Sequence, residues 1–115
     1  MASERSITRA RDWRLIREQG RSASCGDLRV RVVERPSEDL PTRLGLRIRV
    51  AGSARAVARN RAQRRLRQAF RAVAPPTGVD VVVYAARSTN DKNFQELSNC
   101  LAAALRKAGA SEAGS

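Results

Sequence analysis

The residues best suited to chemistry in this chain are its arginines, and they are densest in one segment. Between Asp39 and Asp80 the sequence has ten arginines and no acidic residue. Most of them fall in RAVARNRAQRRLRQAFRAV, residues 55–73. Exposed helix faces usually mix both signs of charge, because ion pairs four residues apart stabilise a helix and like charges destabilise it. A segment of nearly unrelieved positive charge therefore indicates a surface that binds a polyanion.

At about 100° per residue, segment 55–73 forms a helix with one apolar and one polar face. The apolar face consists of Ala58, Ala62, Leu66, Ala69, Phe70 and Val73. The opposite face consists of Asn60, Arg64, Arg67 and Arg71, widened by Arg61, Arg65 and Gln68. Guanidinium groups bind phosphates in bidentate fashion, so we interpret this polar face as an RNA-contact surface. The alternative is a solvated face whose arginines pair with acids from elsewhere in the fold.

The sequence offers no set of residues for catalysis by the protein itself. It contains no histidine for acid–base chemistry near neutral pH. Its 11 acidic residues are scattered, whereas a catalytic metal pair needs a cluster. Cys25 and Cys100 lack the spacing of metal ligands. We therefore predict no catalytic and no metal-binding residue in this chain.

Length and charge agree with one small RNA-binding domain. The chain has 115 residues, with 23 Lys plus Arg against 11 Asp plus Glu and a net charge of +12. Such a basic domain binds nucleic acid by neutralising phosphates. No apolar run approaches the roughly 20 residues of a membrane span, so we expect a cytoplasmic protein with no membrane partner and no small-molecule substrate. Composition predicts flexible ends at residues 1–7 and 109–115 around a domain at 8–108.

Hydrophobic patterning predicts three helices and three strands in the order α-β-β-α-β-α. This order defines a single-domain α+β sandwich in which helices pack on one sheet. The first two helices span residues 8–19 and 56–73. Asn90 or Asp91 is predicted to cap the last helix. Its apolar stripe consists of Phe94, Leu97, Leu101 and Leu105.

The predicted strands are 28–34, 43–50 and 80–85. The first two alternate apolar residues with arginines, and the third is apolar on both faces. If the first two strands are neighbours, their outward side chains form a cationic strip of Arg29, Arg31, Arg47 and Arg49. The phosphates of an extended RNA strand could follow such a strip. The alternative is a pair of half-exposed strands without a ligand, and Trp13 is open between stacking on a base and packing in the core.

Several short motifs lie in and around the arginine-rich helix. The tripeptide RNR at 59–61, with its basic continuation to Phe70, resembles the signature of the protein subunit of bacterial ribonuclease P. RLGL at 43–46 and DVVV at 80–83 are similar to the strands that flank the signature helix in relatives. Asp12-Trp13 and the F-x-x-L-x-x-x-L pattern of the last helix extend the resemblance to residues 8–108.

The chain departs from the family pattern in four places. The S-K-K-x-G-N-A stretch of relatives is replaced by RVAGSAR at 49–55, and Gln63 stands where many relatives have lysine. Arg17 and Arg31 occupy positions where aromatic residues are common. Contacts that relatives make at these places do not carry over. We expect RNA binding here to rely more on phosphates and to be more sensitive to salt.

The resemblance implies a function, a fold detail and a set of binding residues. In the family, the RNA subunit binds magnesium and removes the 5′ leader of precursor tRNA. The protein binds the leader and raises the affinity for substrate and magnesium. For this chain the resemblance implies ribonuclease P RNA and precursor tRNA as partners. It also implies that the RNA-containing holoenzyme uses Mg²⁺ and that the protein alone binds no cofactor. For the fold, it implies a left-handed βαβ crossover.

The binding residues that the resemblance implies form two groups. A leader cleft would contain Trp13, Arg17, Arg29, Arg31, Arg47 and Arg49. The RNR helix would present to RNA Arg59, Asn60, Arg61, Arg64, Arg65, Arg67, Gln68 and Arg71. The residues alone leave a second interpretation open, in which the chain is a ribosomal-type or chaperone RNA-binding protein with no part in catalysis. A DNA-binding protein is a third, although the chain shows no helix-turn-helix partner or dimer zipper.

Overall fold

A computed structural model describes residues 5–7, 9–34, 42–50, 55–73 and 78–109. The predicted C-terminal tail beyond 109 and most of the segment that departs from the family pattern lie outside these ranges. Within the N-terminal segment predicted to be flexible, residues 5–6 form a short strand and Ile7 is buried.

Three helices and one mixed sheet make up the described structure. The helices are α1 (Ala10–Gln19), α2 (Arg55–Val73) and α3 (Phe94–Lys107), and a 3₁₀ turn at Arg87–Asp91 precedes α3. The strands are β1 (Arg5–Ser6), β2 (Arg21–Cys25), β3 (Leu28–Glu34), β4 (Arg43–Arg49) and β5 (Val79–Ala86). The predicted α+β sandwich is confirmed, and β1 and β2 add to the six predicted elements.

The main core lies between α2, α3 and one face of the sheet. The apolar face predicted for α2 is buried, apart from the half-buried Val73. Leu66 and Phe70 of this helix meet Leu97, Leu101 and Leu105 of α3 in the same apolar cluster. Alternate residues of β3 and β5, including Val30 and Val81, complete this cluster. Each such side chain contributes about 1.5–3 kcal/mol when it leaves water, so α2 is held by its apolar face and most of its arginines face outward.

The sheet order is β1-β4-β5-β3-β2, with β4 parallel to both β1 and β5 and the remaining pairs antiparallel. Helix α2 joins β4 to β5, and this parallel unit is consistent with the left-handed crossover that the family resemblance implies. Strand β5 lies between β3 and β4. The two arginine-bearing strands β3 and β4 are therefore not neighbours, because the apolar strand β5 lies between them.

The opposite face of the sheet is covered only in part, by α1. Ile16 packs there with Ile7, Val33 and Val82 in a second apolar cluster, and Trp13 lies at its border. Trp13 Nε1 donates a hydrogen bond to the carbonyl of Ile7 at 3.2 Å. Trp13 is thus half-buried at the edge of this cluster, and its stacking on an RNA base stays a prediction.

The start of α3 differs from the prediction. Asn90 and Asp91 belong to the 3₁₀ turn, and the helix is capped instead by Asn93. The Asn93 side chain accepts from the Glu96 backbone N–H at 2.8 Å, and the Glu96 side chain accepts from the Asn93 N–H at 3.1 Å. This reciprocal capping box satisfies two backbone donors. Phe94 was predicted in the apolar stripe but is 46% exposed, because it is the first residue of the helix and precedes the buried turns.

Strand β2 was not predicted, because RSASC has no large apolar residue to reveal an alternation. A two-residue turn at Gly26-Asp27 joins it to β3, and the positive φ of 60° at Gly26 is typical of tight hairpins. The dipeptide was the available signal for this hairpin. Contacts with the end of α3 fix the edge strand: Arg21 Nε donates to the carbonyl of Ala108 at 3.0 Å, and Lys107 Nζ donates to that of Ser24 at 3.4 Å. None of the helices in the described part of the chain combines the length and hydropathy needed to cross a bilayer.

Candidate nucleic-acid interface

The part of the sheet that α1 leaves uncovered is a groove lined by basic and aromatic side chains. We call it the sheet groove. It has a volume of about 530 Å³ and is lined by Asp27, Arg29, Arg47, Ile48, Arg49, Tyr84, Ala85 and Ala86. Strand register aligns Arg29 of β3, Tyr84 of β5 and Arg47 of β4 in one row across three strands. Tyr84, to which the sequence assigned no role, therefore stands between two arginines.

Two arginines of the sheet groove stack on aromatic rings. The guanidinium carbon of Arg47 lies 3.9 Å from the ring centroid of Trp13, and that of Arg29 lies 4.7 Å from the centroid of Tyr84. Cation–π contacts of this kind contribute about 0.5–1 kcal/mol at exposed sites. They also hold each guanidinium over its ring. A planar guanidinium can bind a phosphate and stack on an unpaired base, so the row suits single-stranded RNA.

Gly45 allows the arrangement of Trp13 and Arg47. A Cβ atom at Gly45 would lie 2.6 Å from Cη2 of Trp13, closer than carbon atoms approach without contact strain. The glycine therefore lets the indole lie against β4, with Arg47 over its ring. This gives a physical reason for the glycine in the RLGL strand opening.

The other residues predicted for the leader cleft do not all reach the sheet groove. Arg49 lines it, whereas Arg17 is exposed on the last turn of α1 and is not among the lining residues. Arg31 is half-buried, and its Cγ would lie 2.8 Å from a Cβ at Gly20. Its Nε is buried without a hydrogen-bond partner among the described residues. The structure thus brings together three of the four strand arginines and separates Arg31 from them.

A half-buried ion triad ties α1 to the sheet beside the sheet groove. Arg43 donates from Nε and Nη2 to the two carboxylate oxygens of Asp80, at 2.8 and 2.5 Å. Its Nη1 donates to Asp12 Oδ2 at 3.0 Å. The hydrogen bonds that Arg43 donates to Asp80, with a smaller effect from the bond to Asp12, raise the pKa of Arg43 above its already high ordinary value. Because Trp13 follows Asp12 directly, the triad anchors on the sheet the turn of α1 that carries the indole.

The second basic surface is the polar face of α2. Asn60, Arg64, Arg67 and Arg71 lie along one side of the helix, as their spacing predicted. With Gln63 and Gln68 they line a shallow groove of about 380 Å³. Arg59 and Arg61 are exposed beside them. We call these eight residues the α2 face; their contact with RNA stays a prediction.

Arg65 differs from the other arginines of α2, because its guanidinium is used within the fold. Its Nη1 donates to the carbonyl of Thr89 at 2.6 Å, and its Nη2 donates to the carbonyl of Lys92. Asn90 Nδ2 donates to the carbonyl of Ala58 at 3.1 Å. These three bonds hold the 3₁₀ turn against α2. The structure places Arg65 in an internal contact, which residue type and helical spacing alone did not distinguish from the outward-facing arginines.

Among the described residues, the remaining chemistry-bearing side chains do not form a reactive site. Both cysteines are free thiols, and Cys100 Sγ donates to the carbonyl of Cys25 at 2.8 Å. Burial raises the pKa of Cys100 to about 12, so this thiol is neutral at physiological pH. Within the described ranges, no three His, Cys, Asp or Glu side chains come together in a group that could hold a metal ion.

The fold and its two basic surfaces define a small α+β RNA-binding protein. The family model described as Ribonuclease P matches residues 1–109. The chain is 36% identical over 98 residues to the ribonuclease P protein component of Gluconacetobacter diazotrophicus, with 82% of each chain covered. The chain belongs to the ribonuclease P protein family. It is the RNA-binding subunit of a ribonucleoprotein endoribonuclease and assists removal of the 5′ leader from precursor tRNA.

Solved structures agree with this membership at the level of the fold. The RNase P protein of Staphylococcus aureus matches with a TM-score of 0.72 at 22% identity, over 91% of this chain and 95% of that one. The RNase P protein of Thermotoga maritima matches with a TM-score of 0.67 at 24% identity, over 85% and 91%. Family membership sets aside the ribosomal-type and chaperone alternatives.

Proposed function

We propose that the sheet groove binds the single-stranded 5′ leader of precursor tRNA and that the α2 face binds ribonuclease P RNA. The observation that carries the first assignment is the row Arg29–Tyr84–Arg47, whose two guanidinium groups lie over the rings of Tyr84 and Trp13. Proteins that bind single strands combine a positive groove with planar groups on which bases stack. The sheet groove has both features.

The shape of the α2 face supports the second assignment. Helix α2 has 19 residues, so it extends for about 28 Å at the usual helical rise. The exposed arginines lie along a shallow groove on one side of the helix, and α2 itself contains no acidic residue. Several phosphates of a folded RNA can contact them along this length. The α2 face contains no aromatic side chain on which an unpaired base could stack, so it suits the catalytic RNA better than the leader.

Magnesium in the holoenzyme would be held by RNA phosphates and bases. The described part of the chain has no group of three or more His, Cys, Asp or Glu side chains to offer it. The contribution of the protein would be its charge of +12, which neutralises phosphates where RNA segments approach one another. The holoenzyme should therefore need less magnesium than the RNA alone.

The experiment compares cleavage of precursor tRNA with a full-length leader and with a leader trimmed to one nucleotide. The full chain is reconstituted with its cognate ribonuclease P RNA at low magnesium. The double variant Arg29→Gln, Arg47→Gln should lower kcat/KM for the full-length leader only. It should also reduce the salt slope of substrate binding by about 1.4, because each lost contact to a single strand removes about 0.7.

A second double variant tests the α2 face. Arg64→Gln with Arg67→Gln should weaken binding of the RNA subunit and lower the cleavage of both substrates to the same extent. Arg106→Gln, an exposed arginine at the end of α3, is the single-charge control and should change neither property. If the sheet-groove variant affects both substrates equally, leader binding in this groove is contradicted.

A further inference from the structure

We propose that Asp27 makes the sheet groove selective for a guanine base in the bound leader. The inference rests on the proposed leader binding and extends it, because phosphate contacts position a strand without reading its sequence. Asp27 is the acidic member of a lining that otherwise consists of three arginines, a tyrosine and apolar residues. A carboxylate repels phosphates, so a groove that bound only the phosphates of the leader would gain nothing from one.

The carboxylate of Asp27 is held in place from two sides. Its backbone lies in the two-residue turn between β2 and β3, where Gly26 has a positive φ of 60°. Its Oδ2 accepts a hydrogen bond at 2.8 Å from Oγ of Ser88, which lies in the 3₁₀ turn after β5. The Asp27 side chain thus connects the turn between β2 and β3 to the 3₁₀ turn that follows β5.

The bond from Ser88 leaves most of the acceptor capacity of Asp27 available. A carboxylate offers about four lone-pair sites on two oxygens, and the Ser88 hydroxyl has a single hydrogen to donate. Asp27 is exposed, so a ligand can reach the remaining sites. Two acceptors side by side match two parallel donors on a ligand.

Guanine is the base that presents such a pair. Its Watson–Crick edge carries the N1–H and N2–H donors next to each other, and unpaired RNA bases are read on this edge. Adenine and cytosine offer one amino donor beside a lone pair, and uracil offers one N–H between two acceptors. These three bases would place a lone pair against the carboxylate. The guanidinium planes of Arg29 and Arg47 supply surfaces on which the base can stack.

The test measures relative kcat/KM for a pool of precursor tRNAs with randomised leaders. The pool is cleaved by the reconstituted holoenzyme under internal competition, and unreacted substrates are sequenced. The wild-type protein should favour guanine over uracil at one leader position by about 5-fold or more, the lower end of what a good bidentate base contact provides. Asp27→Asn, which keeps an acceptor for Ser88 but replaces one oxygen by a donor, should reduce this preference to less than about 2-fold.

Asp91→Asn is the matched control, because it makes the same charge change at an exposed residue that is not part of the groove lining. It should keep the guanine preference. The inference is overturned if Asp27→Asn retains the wild-type preference, if the control loses it too, or if the wild-type protein shows no base preference at any leader position. Failure of leader binding itself is distinct: the wild-type protein would then assist substrates with full-length and trimmed leaders equally.

Discussion

Replacement of Arg43 by methionine should destabilise the protein by about 3 kcal/mol. Methionine keeps the aliphatic stem but removes all three hydrogen bonds to Asp12 and Asp80. The Asp80 side chain is only 2% exposed, and loss of the charged partner of a buried carboxylate costs about 3–5 kcal/mol. The lower figure applies here, because 23% of the Arg43 side chain is exposed and water screens part of the interaction.

Urea unfolding gives the measurement, with the fluorescence of Trp13 as a local probe and far-UV circular dichroism as a global one. Trp13 is the single tryptophan of the chain and adjoins the triad. With a urea dependence of about 2 kcal/mol per molar, the midpoint should fall by about 1.5 M. Asp80→Asn in the Arg43→Met background should recover part of the loss, since it removes the charge that the guanidinium had balanced.

Glu34→Gln is the control for a generic loss of an ion pair. Glu34 pairs with Arg21 at 3.1 Å on the surface, where the two side chains are 66% and 55% exposed. Such pairs contribute about 0–1 kcal/mol. If Arg43→Met lowers the free energy of unfolding no more than Glu34→Gln does, the triad does not hold α1 on the sheet and the reasoning is refuted.

Three further predictions follow from single contacts. Gly45→Ala should cost about 1–3 kcal/mol and shift the emission of Trp13, because the new Cβ would lie 2.6 Å from the ring; unchanged emission and stability would contradict the close approach. At about pH 8, alkylation of Cys100 should be slower in the native protein than in the urea-unfolded protein by about a hundredfold or more, since folding raises the pKa of this thiol from 9.0 to about 12. Because the unfolded chain ionises this thiol first, the free energy of unfolding should fall as the pH rises above 9.0, and less steeply in Cys100→Ala. Arg65→Met should lower the thermal midpoint, whereas Arg64→Met should leave it unchanged and weaken RNA binding; equal thermal midpoints would contradict the internal role of Arg65.

Periodicity predicted those parts of the fold in which burial alternates strongly. Strand β3 has its predicted bounds, and α2 begins one residue before its predicted start. Periodicity reports which side of an element is buried but not which elements are neighbours. The insertion of β5 between β3 and β4 therefore could not be predicted from these patterns, although it places Tyr84 in the centre of the sheet groove.

The candidate site was predictable in its composition but not in the use of each side chain. The alternating arginines of the strands and the periodic arginines of α2 identified both basic surfaces. The pattern could not separate Arg65, which is consumed by two backbone carbonyls, from Arg64, which faces solvent. It also missed Asp27, because a lone acid in a tight turn has an ordinary structural explanation.

The central place of β5 has a consequence for synthesis of the protein. Strands β3 and β4 each pair with β5 and not with each other. While the chain emerges from the ribosome, helix α2 can form as soon as its own residues are free, since local structure forms within microseconds. The sheet that covers its apolar face cannot close until residue 86 has emerged. For that interval the nascent chain displays a polybasic helix without its sheet, so assembly of the core is a late event in translation and exposed apolar surface persists until then.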